Sequence, residues 1–257
     1  MKNLILDWPA PGIARLTLSQ PKRRNALTAA MWLAIPELLG DLVKDKSLRA
    51  LIVTGDGDHF AAGADISEFG TLYATAESSA KISADIQNAF EALAAVPVPT
   101  IAMIRGACVG GGCGLSLCCD LRFADSTAKF AITPAKLGLV YPFGDIARLI
   151  DAVGVANASD ILLSARIMKA DEAKTMGLVH RVIDVDTLEE AVFGYAAGMS
   201  ALSPESLRVT KSMISAYRKG QREDSIETRE QFAAGFSSED FGEGFRAFLE
   251  KRKPNFE

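Results

Sequence analysis

Histidine is scarce in this chain of 257 residues: only His59 and His180 occur. Neither stands beside a serine or cysteine in a nucleophile context, so a hydrolase triad and a two-histidine metal site are both poorly served. The four cysteines, Cys108, Cys113, Cys118 and Cys119, crowd into one stretch and match no zinc spacing, so no metal is expected. Thiols so close in sequence cannot staple distant parts of a chain, and they read as small buried hydrophobes in a reducing compartment. Long uncharged apolar runs are missing, and no membrane insertion is expected. Basic blocks are missing too, apart from Lys22-Arg23-Arg24 and Lys251-Arg252-Lys253 in a chain of net charge −4. Without aromatic interleaving or a surrounding basic field, neither triplet reads as a nucleic-acid surface. The first residues carry Asp7 and Pro9 and no basic segment leading to a cleavage site, so the expected location is cytoplasmic.

What is present suits a sizeable core, since 49% of the residues are hydrophobic. Short apolar runs at 4–6 and 13–18 flank Pro9-Ala10-Pro11-Gly12 and predict a hairpin. Helical spacing over 28–43 starts at Thr28, a plausible N-cap, and Pro36 predicts a kink or break inside it. Strands are predicted at 50–54, 100–104, 121–124 and 129–132, with helices over 76–96 and 143–153. This alternation argues for an α/β fold of crossover units around a buried sheet. From Leu188 the pattern becomes mainly helical, through 204–217 and 226–251. The chain thus reads as an α/β core over 1–187 and a C-terminal helical region over 188–257, with no linker-like segment between them.

Two small-residue junctions carry the chemistry. In Ile104-Arg105-Gly106-Ala107-Cys108-Val109-Gly110-Gly111-Gly112-Cys113, a β-prone segment runs through three glycines into a helix-compatible stretch. The first N–H groups of such a helix lack intrahelical acceptors and sit at the positive end of its dipole. In Asp58-His59-Phe60-Ala61-Ala62-Gly63-Ala64-Asp65-Ile66, a second junction follows a buried strand. Two junctions can aim one N–H each at a single carbonyl oxygen, which favours an enolate or tetrahedral oxyanion over the ground state.

With these two loops the chain resembles the crotonase (enoyl-CoA hydratase/isomerase) superfamily. The likeness includes Gln20-Pro21-Lys22-Arg23-Arg24-Asn25-Ala26-Leu27, Lys136-Leu137-Gly138-Leu139 and Ala173-Lys174-Thr175-Met176-Gly177-Leu178-Val179. It continues to Phe248-Leu249-Glu250-Lys251-Arg252-Lys253-Pro254, so it spans nearly the whole chain. The resemblance implies a right-handed spiral of ββα units, C-terminal helices that build a homotrimer or a hexamer, and an acyl-CoA substrate with no separate cofactor. It also implies that the N–H groups of Ala64 and Gly111 receive the thioester oxygen. Ala62 would face the adenine, Asp65, Ile66 and Ser67 would line the acyl-CoA site, and Arg24 would meet coenzyme A phosphates. Ile66 has a rival reading, since periodicity alone would place it in the core.

Hydratases of the superfamily use two glutamates, and here their positions hold Gly114 and Pro134. Neither residue can move a proton. The segment Thr133-Pro134 through Tyr141 and the tail from Ser238 resemble methylmalonyl-CoA decarboxylase, which makes Tyr141 a candidate donor to an acyl carboxylate or an enolate. That decarboxylase has a carboxylate where Gly114 stands and a histidine where Ala64 stands. Asp145, at a helix start, is a second candidate acid or base, with complementing the helix dipole as its plainer role. Three functions remain open: a thioester-enolate enzyme of the hydratase/isomerase type, a short-chain malonyl-type CoA decarboxylase, and a non-catalytic acyl-CoA binding protein. Asp120 reads as a hydrogen-bond acceptor and Glu68 as part of a solvated helix face.

Overall fold

The computed structural model describes residues 3–256. Strands β1 (Leu4–Ala10) and β2 (Ile13–Leu18) form an antiparallel hairpin whose register slips between Asp7 and Ala10. Pro9 is tolerated because β1 is an edge strand. Helix α1 (Ala29–Leu42) begins at Thr28, whose hydroxyl accepts the Met31 N–H at 3.3 Å. It continues through Pro36 as one helix, so of the expected kink or break the break does not occur. One N–H is lost there, while Met31, Trp32, Ile35 and Leu39 keep a buried stripe on both sides of the proline.

Strand β3 (Ala50–Gly55), the short helix α2 (Phe69–Leu72), helix α3 (Ala76–Ala94) and strand β4 (Thr100–Ile104) follow. Both strands are buried at every position, as suits parallel strands covered on two faces. Helix α3 opens with a capping box between Thr75 and Ser78 and buries Ile82, Ala89, Phe90 and Leu93. Next come β5 (Ala107–Val109), α4 (Gly111–Cys118), β6 (Leu121–Asp125), β7 (Lys129–Ala131) and α5 (Phe143–Ser164). The chain then forms β8 (Met168–Lys169), α6 (Ala170–Thr175), β9 (Arg181–Ile183) and four further helices. These are α7 (Leu188–Ser200), α8 (Pro204–Arg218), α9 (Ile226–Gly235) and α10 (Glu239–Glu250).

The strands divide between a six-stranded sheet, β1-β2-β3-β4-β6-β9, and a three-stranded sheet, β5-β7-β8. From β2 to β9 the larger sheet is parallel, and β4 to β7 alternate between the two sheets. Side chains from α1, α3 and α4 share one large apolar cluster with Leu16, Leu51 and Val53 of that sheet. Leu188, Val192 and Ala196 of α7 close a second cluster with Ile13, Ile52, Ile101 and Phe123.

Two helix boundaries differ from the sequence pattern. Helix α5 continues beyond Val153 to Ser164 across a kink at Gly154, whose φ of 74° and ψ of 163° are open to glycine. The stretch 226–251 is two helices rather than one, because Ser238 caps a new N-terminus by accepting the Phe241 N–H. Helices α9 and α10 expose Phe232, Phe236, Phe241, Phe245 and Phe248, and the first four pack ring to ring. No helix among the described residues is long and apolar enough to cross a membrane.

Candidate active site

Backbone pairing brings the two small-residue junctions together. The Leu27 N–H donates to Gly63 O at 2.7 Å and the Asp65 N–H to Leu27 O at 2.8 Å. Ala64 lies between those bonds, so its own N–H points to the other side, where it has no acceptor among the described residues. The other edge of this segment pairs with β5, as Ala61 N–H donates to Ala107 O and Val109 N–H to Ala61 O, both at 2.9 Å. Gly110 then turns the chain with φ 53° and ψ −120°, a conformation suited to glycine. Gly111 is the first residue of α4, and its N–H also lacks an acceptor among the described residues.

The two free amides are neighbours. A methyl group added to Gly63 would lie 3.4 Å from Gly111 N, and one added to Gly111 would lie 3.8 Å from Ala64 N. Gly112 permits this approach, since a methyl there would collide with Ala61 O. Two N–H donors at the positive end of a helix can hold one oxygen on which negative charge develops.

Aromatic residues wall the space beside them. Trp32 and Phe90 meet edge to face with centroids 5.4 Å apart, and Trp32 Cζ2 comes within 3.2 Å of a methyl placed on Gly111. Tyr141 stands over Gly114, where a Cβ would meet its Oη at 2.9 Å and Phe90 Cζ at 2.8 Å. The residues present therefore leave no room for a side chain at position 114. Both Tyr141 Oη and Trp32 Nε1 are buried without a hydrogen-bond partner among the described residues. Burial pushes the Tyr141 hydroxyl well above its usual range, so it remains a protonated donor. One turn into α5, burial pushes the Asp145 carboxyl up to about 6 against the pull of Arg148, which lies 3.1 Å away and also pairs with Glu91.

The other residues singled out in the sequence fall into distinct places. Arg24 is exposed, and its carbonyl accepts the Ala62 N–H at 2.9 Å. Asp65 is buried, and Arg23, Ser67 and Gln20 engage its carboxylate. Burial opposes its ionisation, but the Ser67 bonds and the Arg23 guanidinium together hold it below the usual carboxylate range. Ile66 is 61% exposed, which removes the core reading of it, and Ser67 is exposed beside it. Glu68 is not simply solvated, because it accepts the Ala29 N–H at 2.8 Å and so caps α1. Asp120 accepts from Thr100 and from Lys211 at 2.6 Å. His59 and His180 each accept a backbone N–H, from Ala107 and Arg122. The four thiols are buried, and burial pushes Cys119 up to about 12. Pro134 is half-buried at the start of a short 3-10 turn.

Trp32 and Phe90 carry no sequence signal beyond an apolar helical stripe, and so escape notice there. Arg148 and Glu91 escape for a related reason, being charges on helices 57 positions apart that meet only after folding.

The model of the enoyl-CoA hydratase/isomerase family matches residues 10–257. The chain is 37% identical over 243 residues to the probable enoyl-CoA hydratase of Mycobacterium tuberculosis, covering 94% of this chain and 93% of that protein. It is 36% identical over 261 residues to the crotonyl-CoA hydratase of Syntrophomonas wolfei, covering 99% and 98%. Among solved structures, an enoyl-CoA hydratase/isomerase family protein of Hyphomonas neptunium superposes with a TM-score of 0.96 at 44% identity, over 99% of this chain and 97% of that one.

Proposed function

The chain belongs to the enoyl-CoA hydratase/isomerase family, and from that premise we propose that it holds the thioester oxygen of an acyl-CoA between the N–H groups of Ala64 and Gly111 and stabilises the enolate. The observation that carries this reading is the pair of unengaged amides where 63–64 and 110–111 meet. Ala62 offers its backbone to the adenine and Arg24 its exposed guanidinium to the phosphates, with Ile66 and Ser67 along the acyl-CoA path. Asp65 acts indirectly, tying the segment after Ala64 to Arg23. The exposed rings of α9 and α10 support self-assembly into a homotrimer or hexamer, since such a patch is costly in water.

The unpartnered Tyr141 hydroxyl favours one particular route to the enolate. Hydration needs two groups of separated proton affinity, and Gly114 and Pro134 stand at the positions where the family's hydratases carry glutamates. Decarboxylation of a short malonyl-type thioester needs no base. The electrons of the breaking C–C bond enter the thioester to form the enolate, CO2 departs, and the α-carbon then takes a proton from the Tyr141 hydroxyl or water. The test is mass spectrometry of crotonyl-, 3-enoyl-, 3-hydroxyacyl-, methylmalonyl- and malonyl-CoA after incubation with the protein in D2O. Loss of CO2 with deuterium at the α-carbon supports decarboxylation, and Tyr141→Phe should then lower turnover about tenfold or more with binding nearly intact. Gain of water replaces that route with hydration. Binding without any turnover leaves a non-catalytic acyl-CoA protein.

A further inference from the structure

A cavity of about 420 Å³ opens at the other end of α4, walled by α3, α5 and α8. Leu117 and Cys118 of α4 line it, six residues of helix beyond Gly111, about 9 Å along the axis. In its floor lies Arg122, only 5% exposed. Its Nε donates to Leu178 O at 2.7 Å, and its Nη1 donates to Cys119 O at 2.9 Å and Ser116 O at 3.3 Å. Its Nη2 has no acceptor among the described residues, and no carboxylate pairs with it. Unpaired buried guanidinium groups are unusual, because desolvating the charge is expensive.

The remaining lining deepens the excess of donors. Arg218 and Lys219, at the end of α8, face the same cavity without an ion pair among the described residues. Burial, and after it the Arg218 charge, weakens the hold of Arg122 on its proton, as expected of like charges sharing a space. His180 accepts the Arg122 N–H at Nδ1 over 3.1 Å, which leaves the proton of the neutral ring on Nε2 as another donor. Lys211 and Arg148 are already matched by Asp120 and Glu91, and among the described residues Asp151 is the one lining carboxylate without a partner. At the end of α4, Arg122 Nη1 takes up the Ser116 and Cys119 carbonyls.

We propose that this cavity binds a small dianionic oxygen ligand, a phosphoryl group or a dicarboxylate, seated against Arg122 Nη2, Arg218 and Lys219. The site is separate from the proposed acyl-CoA site and does not depend on that reading. The test follows thermal melting of the full chain, free of coenzyme A, at constant ionic strength while inorganic phosphate or succinate replaces chloride. Saturable stabilisation by phosphate or by succinate is expected, and whichever acts identifies the source of the ligand. The double variant Arg218→Ala/Lys219→Ala should weaken the apparent affinity at least tenfold and leave acyl-CoA binding unchanged. Arg122 is kept, because its carbonyl bonds hold the end of α4. A rise without saturation, equal in the variant, is general anion exclusion and overturns the proposal. Competition between acyl-CoA and phosphate overturns it as well, because the anion would then lie in the acyl-CoA site. So does absence of any effect.

Discussion

At its N-terminus α4 presents the amide of Gly111, without an acceptor among the described residues, beside Ala64 and the Trp32 ring. At its C-terminus, the carbonyls of Ser116 and Cys119 are taken up by the buried guanidinium of Arg122, and further cations face the cavity beyond. The two ends differ in the kind of partner they suit. An oxygen that is neutral in the ground state and negative only in the transition state gains most from fixed dipoles, whose pull grows as the charge develops. A ligand that is always an anion is better held by permanent cations.

The largest expected effect breaks the N-terminal end. Proline at the first helical position keeps the helix but removes the N–H. Gly111→Pro should therefore lower kcat about 10²–10³-fold, with the Trp32 ring yielding slightly to the new side chain. Measured kcat unchanged in a folded, acyl-CoA-binding variant would take this amide out of the chemistry. At the opposite end, Arg122→Met strands the Leu178 and Cys119 carbonyls, while Ser116 O keeps the Cys119 N–H, and urea unfolding should show a loss of about 3 kcal/mol. A loss under about 1 kcal/mol would mean that the helix end does not need the charge.

Between the ends, Gly114→Ala should destabilise by about 1–3 kcal/mol through crowding of Phe90 and Tyr141. Adding Tyr141→Phe removes one of the two crowding atoms, so the double variant should be more stable than the sum of the singles. Additive values would show that Phe90 alone sets the limit.

The smallest effect concerns pH. Asp145 is raised from 3.8 to about 6, so between those values the folded state binds more protons than the unfolded one. Its contribution therefore makes stability fall as pH rises through that window. Asp65, held low, has the opposite sign: it stabilises above its unfolded value, and that contribution is lost as pH falls through its depressed one. In melting curves, Asp145→Asn should remove a decline between about pH 4 and 6, whereas Asp65→Asn should flatten the acid limb. Matching profiles for the two variants would erase the contrast.

Much of the fold is legible locally. Thr28, the apolar run of β3 and the alternation of strands and helices each act over a few residues, and each appears where the pattern places it. Of the kink or break that Pro36 predicts, the break does not occur, because a buried stripe on both sides outweighs one missing hydrogen bond. Glu68 misleads because its partner, the Ala29 amide, is 39 positions away. The site is legible to the extent that small residues mark the two junctions, but the aromatic wall is hidden, since Trp32 and Phe90 read only as helix interior.

By itself the sequence determined the class of fold, the two small-residue turns and the family, because periodicity, glycine and motif order are local or sequential properties. Only tertiary structure decided which amides stay free among the described residues, that Tyr141 fills the room above Gly114, and that Arg122 opens onto a cavity shared with Arg218 and Lys219. The reason is physical. A donor is free, or a charge unmatched, only in relation to every other chain segment that could have reached it, and those segments are assembled by pairings such as Leu27 with Ala64 and Ala61 with Cys108.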